Sequence, residues 1–487
     1  MQSSWLLFLL AAPWAGALVA AVSGGRRHGL AKRVALAATV APGVALLLGA
    51  NRLLGASLET PWIPELGVTF ALRFDALTLP FVLNLLLVAV AAAWYGWGYL
   101  AHAERCHLCY ALILGFIGSM MGTLLADDLL LFFVFWEGML VTSALLLAGW
   151  GDGERVGAVT LKYVLYTQFG SLLVLAGVAW LVSITGVMRF SDLQVGLFDG
   201  APRELLWVAG LMTVGFLVKM AIFPLHTWLP DAHSIAPMPV TVLLAGAMLS
   251  MGAYGLMRLP MSLLGVAGLR SFQVPLMILA LVSEAYGALM ALASHDIKRL
   301  VAYSSVSQMG YVLFALASLT GRGVGGASLH IVSHGILKAA LFMSVGLLMQ
   351  ATGRRRIEDL GGLWRVMPGP ILALTASAVA LTGMPPFVAF HSEWLILSGG
   401  LASGHPVLAY LEFLVPLFTA GYALWLAVRL ALGPTPEGLQ VGPTSTAMRW
   451  SLYALVIAAL GIGLHPNALY HWAGDAAAQL LGTLPYG

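Results

Sequence analysis

Long apolar runs, punctuated at short intervals by glycine, proline and charge, occupy almost the whole chain. A helix needs roughly 20 apolar residues to cross a bilayer. Scanning for such runs predicts fourteen spans, approximately 5–22, 34–54, 78–99, 107–125, 129–149, 160–185, 205–233, 238–257, 274–293, 300–318, 325–350, 370–400, 407–431 and 449–465. The expected architecture is an all-α polytopic membrane protein of about 14 helices. Two spans are interrupted: the seventh by Pro224, Pro230 and Pro237, the twelfth by Gly383, Pro385 and Pro386. Broken helices survive at membrane depth where they line a polar cavity, and in transporters they recur at matching places in two halves. These two lie five spans apart, each beside a buried charge. That favours an inverted repeat of spans 4–8 and 9–13 over two unrelated proline kinks. The expected divisions are 1–106, 107–257 and 274–431, with 432–487 holding the last span and a tail.

Composition narrows the class. The chain is 60% hydrophobic and 9% charged, with a mean hydropathy of +0.91; soluble domains carry about 25% charged residues. A net charge of +3 without a basic run gives no footprint for nucleic acid. The first apolar run lacks a basic stretch before it, so it reads as a retained span and not a cleaved signal. Cys106 and Cys109 flank His107 in a single C-x-x-C, without further ligands at metal spacing, and read as packing residues. No nucleotide, flavin, haem or iron–sulfur motif is evident, so no cofactor or metal is expected in this chain.

Lysine and arginine orient the spans. Loops after odd-numbered spans hold fifteen of them, beginning with Arg26, Arg27, Lys32 and Arg33, against seven in the other loops. The positive-inside rule then puts both termini outside a bacterial-type inner membrane.

The remaining two positives, Lys219 and Lys338, lie within spans, as do Glu137, Glu284 and Glu393. An ionisable group there costs roughly 2.5–3.5 kcal/mol even on lenient scales, and it marks an ion pathway by default. A buried lysine loses its proton more readily, and a nearby carboxylate restores its hold, so moving one relative to the other is a switch. Glu137 and Lys219 are the expected pair, either as that switch or as a static bridge. His226 and His233 flank Asp231 in "HTWLPDAH", and His330, His334 and Lys338 fall four apart on one helix face. Glu284 has no obvious partner. Asp127, Asp128, Asp152 and Glu154 read as interfacial charges.

The stretch from Gly215 to Leu259, "GFLVKMAIFPLHTWLPDAHSIAPMPVTVLLAGAMLSMGAYGLMRL", resembles the signature of the antiporter-like membrane subunits of respiratory complex I and its relatives. "HDIKRLVAYSSVSQMGYVLFALAS", "FWEGMLV", "LKYVLYTQFGSLL" and "SHGILKAALF" extend the resemblance over most of residues 107–400. It implies fourteen helices in two inverted five-helix repeats, and a proton-translocating subunit driven by redox chemistry in neighbouring subunits. Matching positions would take the family's roles: Glu137 and Lys219 the pair of the first half-channel, Lys162 the lysine opening helix 6, His334 and Lys338 the helix 11 relay, and Glu393 the terminal group of helix 12. The glutamate at 393, and a chain that stops soon after helix 14, resemble the subunit-4 (chain M) type. Ser250 departs from the family, which places its central lysine there. Lys338 and "PPFVAFHSEW" also resemble energy-converting hydrogenases and Mrp-type antiporters. The implied partners are other membrane subunits, the lipid bilayer and, indirectly, redox subunits. Rival readings are an Mrp-type cation/proton antiporter and a structural subunit that has lost conduction.

Overall fold

The computed structural model describes residues 2–24, 28–193 and 203–482; Arg26 and Arg27, used above for orientation, lie outside them. The helices are α1 (Gln2–Val22), α2 (His28–Leu53), α3 (Thr78–Tyr99), α4 (Cys106–Leu125), α5 (Leu129–Trp150), α6 (Val156–Thr185), α7 (Glu204–Met220), α8 (Trp228–Ile235), α9 (Met238–Leu243), α10 (Leu249–Leu256), α11 (Ser262–Leu292), α12 (Ile297–Ala317), α13 (Gly321–Thr352), α14 (Pro368–Leu381), α15 (Val388–Ala402), α16 (Pro406–Glu412), α17 (Val415–Leu432), α18 (Thr446–Leu464) and α19 (Asn467–Leu481). Among the described residues, eleven helical segments are long and apolar enough to cross a membrane. The interrupted seventh and twelfth spans are the broken pairs α7–α8 and α14–α15. Span 13 is broken too, between Glu412 and Val415. Two π-helical turns, Leu244–Met248 and Met257–Met261, join α9, α10 and α11, and Gly265 breaks the helical path near the start of α11.

The link between α2 and α3, read as a plain loop, is an antiparallel hairpin of β1 (Ala56–Ile63) and β2 (Val68–Phe74). The tail beyond α18 folds as α19 and packs against α13, α3 and α11.

The two five-helix units match in detail. Asp128 caps α5 and Asp296 caps α12, each accepting from the second and third amides beyond it. Each cap residue forms a short antiparallel bridge to an arginine after the next helix, Asp128 with Arg189 and Asp296 with Arg356. Gly186 ends α6 and Gly353 ends α13, both left-handed, as a Cβ-free residue allows without strain. Ala221 and Gly383, both at positive φ, open the two breaks. Because α5 belongs to an odd crossing and α12 to an even one, the units run in opposite directions.

Helices α12 and α13 are enclosed by protein throughout their most apolar windows. They form the centre, while α1, α5, α6, α17 and α18 turn large apolar side chains outward. Asp128 is correspondingly fully buried: besides capping α5, its carboxylate accepts from Thr69 N, so it is not the interfacial charge expected. Arg258 and Lys298, counted above as loop positives, are also buried. One leaves each set, so the charge bias keeps its sign.

Arg258 anchors the far end of the fold. Its guanidinium grips Asp75 through two bonds of 2.7 and 3.0 Å and also donates to Thr78 and Tyr254. Gln479 of α19 donates to the same carboxylate and accepts from Leu77 N. Burial alone would raise the Asp75 pKa, but Arg258 overrides it and holds the carboxyl well below the usual range. Breaking a buried pair from one side costs about 3–5 kcal/mol, so Arg258→Met should lower the melting temperature sharply, and Asp75→Asn in addition should recover part of the loss. A depressed folded pKa contributes stability that is present above the unfolded value, about 4, and is lost only as pH falls through the folded one. With the guanidinium gone, burial pushes the Asp75 carboxyl up in Arg258→Met. The gap between wild type and variant should therefore be largest at neutral to alkaline pH, begin to narrow above about pH 5 as the variant's Asp75 takes up a proton, and go on narrowing in strong acid, as thermal melts across pH would show.

Candidate functional site

The broken helices and the two enclosed helices bring a row of polar side chains into the apolar interior. Lys219 ends α7 beside the first break and is 3% exposed. Its Nζ has no hydrogen-bond partner and lies 5.1 Å from the centre of the Trp136 ring. Glu137 is its electrostatic neighbour, partly buried on α5 with one carboxyl oxygen enclosed and unpartnered. The expected pair thus shares a site, but no ion pair joins it: a tryptophan face, not a carboxylate, lies against the ammonium.

Lys162 lies elsewhere. It pairs with Asp231 of α8 at 2.8 Å, and Asp231 also holds Arg299 of α12 at 2.8 Å. The three are partly exposed and tie α6, α8 and α12 together. His226 packs among Phe223, Tyr286 and Tyr303, its Nδ1 unpartnered. His233 stacks on Phe342 with both ring nitrogens unpartnered. The nearby charges are Lys298, whose Nζ donates to Ala236 O at 2.5 Å, and Lys338. His233 therefore stands between a lysine of α12 and one of α13, where the two halves meet. Sequence reading assigned Lys298 to a loop; only packing of the first turn of α12 against α8 encloses it.

The helix 11 stripe is realised on α13. Lys338 donates to Ser304 and to Val301 O of α12. His330 contacts Ser392 at 3.0 Å and Gln308 at 3.1 Å. His334 stacks 6.2 Å from His330, its Nε2 unpartnered. Ser392 adjoins Glu393, which is buried with Oε1 unpartnered. Ser250 donates to Ala247 O within its own helix. Gln308, Ser304 and Ser392 were not singled out from sequence, because uncharged polar residues in apolar helices carry no distinctive signal until a partner faces them. Glu412 was missed as well, although a lone carboxylate in an apolar span was the available clue; its carboxyl faces Glu284.

The matched anchors give the row a symmetry. Counting from the helix caps and C-terminal glycines, Trp136 corresponds to Ser304 and Ser171 to Lys338. The same contact is made in both halves: Trp136 donates to Ser171 at 3.0 Å, and Lys338 donates to Ser304. Asp231 and Glu393 each stand ten residues beyond the positive-φ residue that opens the break. In the first half that carboxylate is neutralised by two cations; in the second it has none. Among the described residues no group of three or more His, Cys, Asp or Glu side chains is arranged to hold a metal ion.

Residues 126–419 match the family model described as NADH:quinone oxidoreductase/Mrp antiporter, TM. The chain belongs to this family. Among curated members, NAD(P)H-quinone oxidoreductase chain 4 1 of Picosynechococcus sp. is 40% identical over 69% of the chain, which spans 62% of that relative's length. The chain 4 1 protein of Synechococcus elongatus is 35% identical over 87% of the chain and 81% of the relative. A chain of respiratory complex I from Thermus thermophilus superposes with a TM-score of 0.85 at 27% identity, covering 98% of this chain and 100% of that one. A chain of the Mrp complex from Dietzia sp. DQ12-45-1b gives 0.88 at 22% identity, over 99% and 97%, a likeness of fold. As a family member, the chain has the membrane fold and the two broken helices that the sequence predicted.

Gly383 isolates the role of the second break. It has φ +72°, and a Cβ there would fall 2.0 Å from Glu393 Oε2. Gly404 has φ +83° with open space around it. Gly383→Ala should displace the Glu393 carboxyl and lower proton flux in vesicles carrying the assembled complex. Gly404→Ala, bearing comparable backbone strain, should leave the flux near wild type.

Proposed function

We propose that this chain is a proton-translocating membrane subunit of a complex I-like, redox-driven pump in a bacterial inner membrane. It would hold no cofactor of its own and perform no independent catalysis, with electron transfer in partner subunits. The curated relatives, named as chain 4 of an NAD(P)H-quinone oxidoreductase, support this reading. So does the likeness to a chain of a respiratory complex I.

The observation that carries it is the row of enclosed, unsatisfied polar atoms from Lys219 through His233 and His334 to Glu393. Each such atom costs about 1–3 kcal/mol and is normally satisfied by ordered water, so a series of them supports a hydrated route through apolar packing. Lys219 lacks a carboxylate in contact, so a small movement of Glu137 on α5 would change how firmly its proton is held. Released, the proton would pass by His233 to Lys338, then through Ser304, Gln308 and His330 towards Glu393. Lys298 and His233 offer a central link where Ser250 replaces the family's lysine. Moving one charge against 100 mV costs about 2.3 kcal/mol, the equivalent of a little under two pKa units at 1.36 kcal/mol each. The lone carboxylate and ammonium groups along the row can supply that modulation. The Lys162–Asp231–Arg299 cluster ties α8 to α6 and α12.

A cation/proton antiporter of Mrp type would share the fold, but the curated relatives favour the redox-driven reading. Sodium-dependent exchange without an electron donor would support the antiporter.

Lys219→Ala should abolish this module's contribution to protons pumped per electron while the chain still assembles. Dye-quenching assays on inverted membrane vesicles would read it, and an unchanged proton-to-electron ratio would overturn the reading. Lys298→Ala tests the central link and should reduce the ratio without removing Lys219 or Lys338 from their sites.

A further inference from the structure

Glu284 and Glu412 take no part in the route above, yet they are among the most enclosed ionisable groups in the molecule, each 0% exposed. Glu284 lies in the middle of α11. Glu412 ends α16, where span 13 is interrupted before α17. Their carboxyl groups are neighbours, and no protein donor reaches any of the four oxygens. Among the described residues neither forms an ion pair with a lysine or arginine.

Two observations independent of the carboxyls make this a built site. The hydroxyls of Tyr311, Thr419 and Tyr422 are buried in one polar cluster, with Thr419 beside both tyrosines; Tyr311 lies within electrostatic reach of Glu393, Glu412 and Glu284 together, and Tyr422 within reach of Glu393. Beneath Glu284, α12 carries Gly310, where a Cβ would fall 2.3 Å from Glu284 Cγ. The glycine leaves a slot that the glutamate fills.

We propose that Glu284 and Glu412 form a second proton-holding site, a carboxyl pair sharing one proton, which receives the proton leaving Glu393. The proposal rests on the proton-translocating reading above. Two bare carboxylates facing each other without a cation repel strongly in the low-dielectric interior. A single proton between them removes that repulsion and supplies the donor that the protein does not. The charged or titratable groups facing the pair are Glu393 of α15 and Tyr311 of α12, with Tyr422 of α17 beyond Glu393. Ser392, beside Glu393 in the chain, contacts His330, which in turn meets Gln308 on α12. The transfer is a simple relocation: the O–H bond at Glu393 breaks, an O–H bond forms at the pair, and Glu393 becomes free to accept the next proton.

Position gives the pair its use. Tyr410, Leu411, Phe413 and Leu414, around Glu412, face outward, so the pair lies one helix from the lateral surface of the chain. It is a buried titratable site beside that edge and is placed to discharge a proton there.

The test uses the assembled membrane complex carrying Glu284→Gln, Glu412→Gln or Lys219→Ala. Infrared spectra in light and heavy water should show an exchangeable protonated-carboxyl band that either glutamine variant removes, because the new amide supplies the donor in place of the shared proton. This module's contribution to the protons pumped per electron should be lost in both. If the glutamine chains fail to assemble, Gly310→Ala keeps every charge and displaces Glu284; the same losses are expected. A band and a proton-to-electron ratio unchanged in these variants, with pumping abolished by Lys219→Ala, would overturn the carboxyl pair alone. Pumping unaffected by Lys219→Ala would overturn the underlying reading instead. A sodium requirement in the wild type that the glutamine variants abolish, without a protonated-carboxyl band, would replace the proton by a cation and overturn the proposal.

Discussion

Titratable side chains persist at bilayer depth only where protein, and not lipid, surrounds them. Helices α12 and α13 meet that condition. Enclosed on all sides, they carry Lys298, Ser304, Gln308 and Tyr311 on one helix and His330, His334 and Lys338 on the other. Were either helix on the periphery, each charge would face hydrocarbon at a cost of several kcal/mol. The outer helices present leucine, valine and phenylalanine instead. The rest of the architecture surrounds this pair: the broken helices deliver groups to it, and the peripheral helices keep lipid away.

Breaks in the helices solve a second problem. A continuous apolar helix offers no free backbone and little room for a charged head group. At Met220–Trp228, Leu381–Val388 and Glu412–Val415 the helical path is interrupted, and Lys219, Glu393 and Glu412 stand at or within two turns of these sites. Small residues complete the arrangement. Gly383 and Gly310 leave space that Glu393 and Glu284 occupy, so close helix packing and buried carboxyls coexist.

The halves share a scaffold but divide the chemistry. Matching caps, bridges and C-terminal glycines give them the same skeleton. On it, the first half places its buried lysine on α7 and neutralises Asp231 with two cations, while the second places its lysine on α13 and leaves Glu393 without one. A repeat in which every charge had its counterpart would be electrostatically uniform. This asymmetry gives the row a direction, from an ammonium held against an aromatic face to carboxyls without counterions.

The apolar runs and their glycine and proline punctuation determined the polytopic helical class and the two principal breaks. These follow from local rules: the length needed to cross a bilayer and the inability of proline to continue a helix. The isolated charges also marked Lys219, Lys338 and Glu393 as interior groups. Contacts were decided only by the tertiary structure. It set Trp136 against Lys219, sent Lys162 to Asp231, enclosed Lys298 and Arg258, and turned the α2–α3 link into a hairpin. It also brought Glu412 to Glu284, the partner that the sequence did not reveal. The physical reason is range. Spacing along one helix shows which residues share a face, but which face meets which neighbour depends on the packing of the whole bundle, where residues far apart in the chain, such as 284 and 412, come together.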